Sequence, residues 1–428
     1  MKFFLFSLGC KVNGYETNAL REQFLLAGFK EASSYNDADV IVINTCGVTH
    51  VADQKSRQHI RKFRRLSPKA ILVVMGCYSE IHAHEVASMG VDIIVGTSER
   101  NKIVEYLKEI IAKKITPPVI DVKKNVRHEK FEEMGQIALT NQARAYLKIQ
   151  DGCDNFCSYC LIPILRGNSR SRDKNNILLE TKNLVEQGYK EIVLTGVHIG
   201  KYGNDFSSSY DLFDLVNDIL LANPSLYRLR LGSLESAEIT PKFKDLLIQY
   251  PAIANHVHIP LQSGSSSVLA RMHRPYDVNA FLETITMLRQ ARHDIALTTD
   301  VIVGFPGESE EEWKETLAFV QKAKFSQIHV FPFSPRSGTL AATLPDQVEP
   351  QTKERRVHEL LAIAKKLQEE YESSFLGKKM EVLFEEDDPK KGVSMGHTSN
   401  YLHVRVPYVE AMHGKIATVV YQKENEAN

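Results

Sequence analysis

No apolar run in the 428 residues approaches the roughly 18 of a membrane-spanning helix. The chain is not built to sit in a bilayer. Charge of one sign is missing too: 53 basic residues meet 53 acidic ones, so the field of the whole molecule directs no partner to it. Any nucleic-acid surface must then be a local patch. No internal repeat or low-complexity tract organises the sequence. The opening stretch MKFFLFSLGCKVNG lacks both a long apolar segment and a small-residue cleavage site, so it reads as a buried first strand and not as a signal peptide. The expected compartment is the cytoplasm. Cysteine is scarce, six in all, and in that compartment six thiols point to metal ligands or catalytic groups before disulfides.

A chain of 428 residues is too long for one ordinary core, which predicts two or three domains. The cysteines divide evenly. Cys153, Cys157 and Cys160 are packed into DGCDNFCSYCLIPILRGNSRSR, whereas Cys10, Cys46 and Cys77 are scattered over the first eighty residues. Three is an awkward number, because structural zinc wants four ligands and a disulfide two. The scattered three have a pattern of their own. KFFLFSLGC, ADVIVINTC and AILVVMGC each read as a buried strand ending at its cysteine, and VDIIVGTS reads as a fourth strand. The stretches between them are helical, so a parallel sheet is predicted, with all carboxyl ends on one edge where ligands bind. Two groups of three thiolates therefore suggest two 4Fe-4S clusters, each with one iron not held by protein. An iron so exposed favours bond-making chemistry over plain electron transfer.

Strand-then-helix units continue from about 140 to 345 and predict an open (β/α)6 barrel, smaller than the closed eight-stranded one. The charged stretch 121–142 reads as a linker or an extended crossing segment. PDQVEPQTKERRVHELLAIAKKLQEEYESSFLG reads as a long helix, and short β-like runs follow in a small all-β module of about fifty residues.

Cys153, Cys157 and Cys160 form Cys-x-x-x-Cys-x-x-Cys, and the string around them resembles the methylthiotransferase branch of the radical S-adenosylmethionine enzymes. LGCKVNGYET, INTCGVTHVADQKSRQ and MGCY resemble that branch's N-terminal cluster-binding domain, and the C-terminal module resembles its TRAM domain. Within the branch, LGCKVN, LTGVHIGKYG and CDNFCSYC resemble the enzymes that act on N6-threonylcarbamoyladenosine of tRNA. The resemblance implies an α/β fold divided into an N-terminal domain over 1–115, a linker over 116–142, a radical S-adenosylmethionine core over 143–365 and a TRAM domain over 366–428. It implies methylthiolation of adenine carbon 2, next to the anticodon. Two rival substrates remain, isopentenyladenosine in tRNA and an aspartate of a ribosomal protein. A non-catalytic iron–sulfur RNA-binding protein is the rival of a different class.

By the same resemblance, Cys153, Cys157 and Cys160 hold the catalytic cluster that binds S-adenosylmethionine, and Cys10, Cys46 and Cys77 hold a second, sulfur-carrying one. Tyr159 takes the aromatic position beside the cofactor's adenine. Gly196, Glu235, Gln262, Ser263 and Asp300, at or near later strand ends, are expected to meet the cofactor or the substrate. Implied partners are the anticodon stem-loop of tRNA, an electron donor such as a flavodoxin or ferredoxin, and a sulfur source. Arg166, Arg170 and Arg172 are read either as contacts to phosphate or a cofactor carboxylate, or as a solvated face. The basic helical stretch 57–65 is a candidate for tRNA contact. His256 and His258 are placed on opposite faces of a strand and, like His82 and His84, are not expected to bind zinc. Tyr401, His403 and Arg405 are expected on one strand face of the C-terminal module, with Leu402 and Val404 on the other.

Overall fold

The structure, a computed structural model, describes residues 1–123, 130–137 and 142–422. The sequence-predicted linker 116–142 and the C-terminal tail both run partly outside them. Six parallel strands form the N-terminal sheet, in the spatial order Lys30–Glu31, Lys2–Ser7, Val40–Thr45, Ile71–Gly76, Ile93–Val95 and Val119–Asp121. The sixth, Val119–Asp121, lies inside the stretch read as a linker. Near-continuous apolar sequence is what a strand covered on both faces requires. Ile41 and Ile43 accordingly pack on Ile60 and Phe63 of helix His50–Leu66, while Val40 and Val42 face the opposite way, toward Tyr15 and Phe24 of helix Lys11–Leu26.

That second core continues without a break into the next domain. Met134 and Ile137, from the segment between the domains, are buried in it together with Ala145 and Leu147. The central domain has six parallel strands, Arg144–Lys148, Glu191–Thr195, Arg228–Leu231, His256–His258, Ala296–Val303 and Gln327–Pro332. A parallel bridge from Leu229 to Ile253 joins the two halves, so the predicted open (β/α)6 barrel is present. Its helices start where the sequence supplies caps: Asp173, Asp211, Asp277 and Ser309 each accept first-turn backbone N–H groups. FPGE is a turn, with Gly304 and Gly307 at positive φ, and Glu308 accepts from Gly304 N and pairs with Arg356 of the long helix Pro350–Ser373.

The C-terminal module is a four-stranded antiparallel sheet with its own small core of Phe375, Val382, Phe384, Leu402, Val404 and Tyr421. No helix among the described residues is long and apolar enough to cross a membrane.

Candidate active site

Each scattered cysteine is placed by the end of a strand. Cys10 immediately precedes helix Lys11–Leu26, Cys46 directly follows Val40–Thr45, and Cys77 opens helix Cys77–Ser88 directly after Ile71–Gly76. Two glycines let the three turns meet. A Cβ on Gly9 (φ +98°) would lie 2.9 Å from Cys46 Cβ, and one on Gly47 would lie 3.0 Å from the Cys77 backbone. The thiols of Cys10, Cys46 and Cys77 are close enough to repel one another's negative charge. Burial pushes the Cys46 thiol up and that of Cys77 up to about 11.

Cys153, Cys157 and Cys160 sit on the loop after the first barrel strand. Cys153 Sγ lies 3.2 Å from His198 Nδ1, and Arg274 Nη1 donates to Cys157 Sγ at 3.0 Å. Backbone N–H groups of Asn155 and Ile162 donate to Cys153 and Cys160, both at 3.5 Å. Burial pushes Cys157 up and Cys160 up to about 12. For His198 burial works downward, but its bonds to Cys153 and Glu238 win and raise it to about 9.

All six cysteines are free thiols. Burial makes a bare thiolate costly at four of them, and a soft metal ion removes that cost by taking the sulfur as its ligand. Three sulfur donors per site, each triad supported by N–H donors or an arginine, fit an iron–sulfur cluster with one iron left open. Arg166 ties the two sites together. Its Nε donates to Cys77 Sγ at 3.4 Å, while its Nη atoms reach Glu16, Asp151 and Asn13 at 2.9–3.3 Å.

The arginines after the cluster loop thus do not form a solvated face. Arg166, Arg170 and Arg172 are all buried. Arg170 pairs with Asp151 at 3.6 Å and Arg172 with Glu180 at 2.5 Å. Their partners lie as far away in sequence as Glu16, which no local pattern reveals.

Cys10, Cys46 and Cys77 open onto a cavity of about 750 Å³ between the N-terminal sheet and the mouth of the barrel. Of the other expected site residues, Gly196 and Asp300 line it. Glu235 does not, and is held by Arg274 beside Cys157. Tyr159 packs against the Val268, Met272 and Phe305 cluster next to the cysteine loop. Ser263 is fully buried and bonded to Thr316 Oγ1 at 3.3 Å, and Gln262 (φ +65°) bridges Val301 through its backbone, so the fold brings neither into the cavity.

His256 and His258 are not on opposite faces. Residues two apart on a strand share a face, and both line the cavity with Thr298 Oγ1 between them, 3.0 Å from His256 Nε2 and 2.9 Å from His258 Nδ1. His258 Nε2 lies 3.2 Å from Asp300, and His329 stands close by. Tyr401 also departs from expectation. It precedes strand His403–Pro407 in a turn (φ +66°), and its ring stacks on His256 with centroids 4.8 Å apart. The C-terminal module therefore supplies part of the cavity wall. His403 and Arg405 remain on an exposed strand face opposite Leu402 and Val404.

Behind Tyr401 lies Glu191, fully buried, with Arg230 Nε at 2.7 Å, Arg228 Nη1 at 3.0 Å and Arg144 Nε at 3.4 Å. Burial by itself would raise this carboxyl, but Arg230 and Arg144 outweigh it and hold it at about 2. A lowered carboxyl stabilises the fold fully above its unfolded range and loses that contribution as pH falls toward 2. Glu191→Gln strands the arginines and should cost about 3–5 kcal/mol. Urea unfolding at several pH values tests this: stability of the variant should fall less steeply than wild type between about pH 5 and pH 2.

Residues 2–96 match the model of uncharacterized protein family UPF0004, and residues 147–320 match that of the radical SAM superfamily. The chain is 42% identical over 417 residues to the threonylcarbamoyladenosine tRNA methylthiotransferase MtaB of Bacillus subtilis, covering 96% of this chain and 92% of that one. It is 31% identical to the tRNA-2-methylthio-N(6)-dimethylallyladenosine synthase of the same organism, covering 99% of this chain and 84% of that one. Among solved structures, the radical S-adenosylmethionine methyltransferase TsrM from Kitasatospora setae shares the fold, with a TM-score of 0.60 at 14% identity over 80% of this chain and 74% of that one. The open barrel and its three-cysteine loop define a radical S-adenosylmethionine enzyme, a class that uses one 4Fe-4S cluster and S-adenosylmethionine. More narrowly, the chain belongs to the radical S-adenosylmethionine methylthiotransferase family.

Proposed function

We propose that this protein methylthiolates carbon 2 of N6-threonylcarbamoyladenosine beside the anticodon of tRNA. Adenine C2–H is unactivated, and no side-chain acid or base removes that hydrogen at neutral pH. When bound, a reduced 4Fe-4S cluster and S-adenosylmethionine supply the radical that can. The residues that would hold that cluster are Cys153, Cys157 and Cys160, with Tyr159 and Glu235 beside them and Gly196 on the adjoining cavity wall. The second triad, Cys10, Cys46 and Cys77, would hold the cluster that carries the sulfur. Of Gln262, Ser263 and Asp300, Asp300 lines the cavity and keeps its proposed place toward cofactor and substrate, whereas Gln262 and Ser263 stand outside it. An electron donor of the flavodoxin or ferredoxin kind and a separate sulfur source complete the scheme. The working division is 1–115, 116–142, 143–365 and 366–428, the last a TRAM domain.

One observation carries this reading: the second triad opens onto the same cavity whose far wall is the barrel mouth, and Arg166 spans from that triad to the loop of the first. Substrate carbon and sulfur can then meet in one cavity. Mass spectrometry of tRNA nucleosides from a strain lacking this protein should show loss of 2-methylthio-N6-threonylcarbamoyladenosine and accumulation of the unthiolated nucleoside. Unchanged nucleosides with an unmodified ribosomal-protein aspartate would move the assignment to that rival.

A further inference from the structure

Three charged side chains, apart from histidines, line the cavity: Lys11, Arg166 and Asp300. Two of them have partners within the protein. Arg166 lies between Glu16 and Asp151, and Asp300 faces His258. Lys11 is different. Among the described residues it has neither an ion pair nor a hydrogen bond, although it lines the cavity next to Cys10, with its side chain open to solvent.

A cation lining a substrate cavity with no protein anion paired to it is free to meet an anion of the substrate. The reading proposed above provides one. Threonylcarbamoyladenosine differs from adenosine by a substituent that ends in the threonine carboxylate. The dimethylallyl group, for which the 31% identical relative is named, is uncharged and would leave the ammonium unpaired. We infer that Lys11 binds the carboxylate of the threonylcarbamoyl group and is the residue by which the cavity prefers an anionic substituent. It rests on the threonylcarbamoyladenosine reading. Lys11 acts on binding and orientation: its N–H groups donate to the carboxylate and fix the adenine relative to Cys10, Cys46 and Cys77, without entering the bond changes at carbon 2.

The test uses the full-length, iron-reconstituted protein and short anticodon stem-loops read by fluorescence anisotropy. One stem-loop carries threonylcarbamoyladenosine, a second its carboxyl methyl ester and a third dimethylallyladenosine. The wild type should bind the acid about ten- to a hundredfold more tightly than the ester, the range expected of a hydrogen bond between charged groups. In Lys11→Met the ratio should collapse toward one by loss of affinity for the acid, and Lys11→Arg should restore part of it. Iron content, measured on the same samples, should match wild type. An unchanged acid-to-ester ratio in Lys11→Met overturns the inference, and so does equal weakening of both stem-loops. Loss of iron in the variant overturns it as well, by assigning Lys11 to the metal site. A wild type that prefers the dimethylallyl stem-loop overturns the substrate reading itself, whatever Lys11→Met does.

Discussion

Alanine at Cys153, Cys157 and Cys160 together is expected to abolish 5′-deoxyadenosine formation and to halve the bound iron. The same change at Cys10, Cys46 and Cys77 should also halve the iron, yet leave cofactor cleavage running without product. The difference follows from how each triad is held. The loop triad is fixed by His198, Arg274 and local backbone N–H groups, none of which touches the N-terminal cysteines. Losing Cys77 removes one of Arg166's acceptors, but Glu16, Asp151 and Asn13 keep that side chain and its loop in place. The cost of the stranded Nε–H is about 1–3 kcal/mol, too little to unfold a domain of this size. Iron analysis and chromatography of the anaerobic, reduced proteins decide the matter. Equal loss of 5′-deoxyadenosine in both triple variants would refute the division of labour.

The parts of this molecule that could be read from the sequence are those governed by local rules. Apolar runs closed by cysteines gave the N-terminal strands, because a strand covered on both faces needs no alternation and ends where glycine and a turn appear. Period and caps gave the barrel helices and the helix Pro350–Ser373 for the same reason. What stayed hidden depends on pairing across the chain. Nothing near Arg166 indicates that Glu16 will neutralise it from 150 positions away, so local sequence leaves a solvated face open for three arginines that are in fact buried. His198 and Arg274 were missed because each meets its cysteine only after the barrel has closed. Tyr401 was assigned to a strand by alternation, but its positive φ places it in the turn before that strand, where it can reach His256. The pairing of His256 with His258 was legible and misread: period two puts both on one face.

That position of Tyr401 changes what removal of the C-terminal module should do. Ending the chain after Ser374 takes away the ring stacked on His256 and lying under Arg230 and Arg144, 4.7 and 5.3 Å from the guanidinium carbons. It also removes Glu385 from Arg144, and the Thr398 and Ser399 carbonyls from Arg230. Two buried arginines would be left to share Glu191 with Arg228, and one wall of the cavity would be open to water. The exposed face carrying His403 and Arg405 goes with the module, and with it contacts suited to phosphate. The truncated protein should therefore lose tRNA affinity, chiefly the salt-sensitive part, and methylthiolation should fall by more than about a hundredfold, since losing enclosure and alignment at a reacting centre has that scale. Cofactor cleavage without tRNA should persist, because the module's hydrogen bonds to the barrel, through Arg144, Arg230, Asn255 and Tyr371, involve no residue of the cysteine loop. Tyr401→Ala separates the two losses. It keeps the phosphate-facing strand while removing the ring, so tRNA should still bind with the wild-type salt dependence while turnover drops. Should the truncated protein bind tRNA as tightly as the intact one at several salt concentrations, the grip lies elsewhere, and the groove lined by Arg57, Arg61, Lys62 and Arg65 on helix His50–Leu66 takes its place.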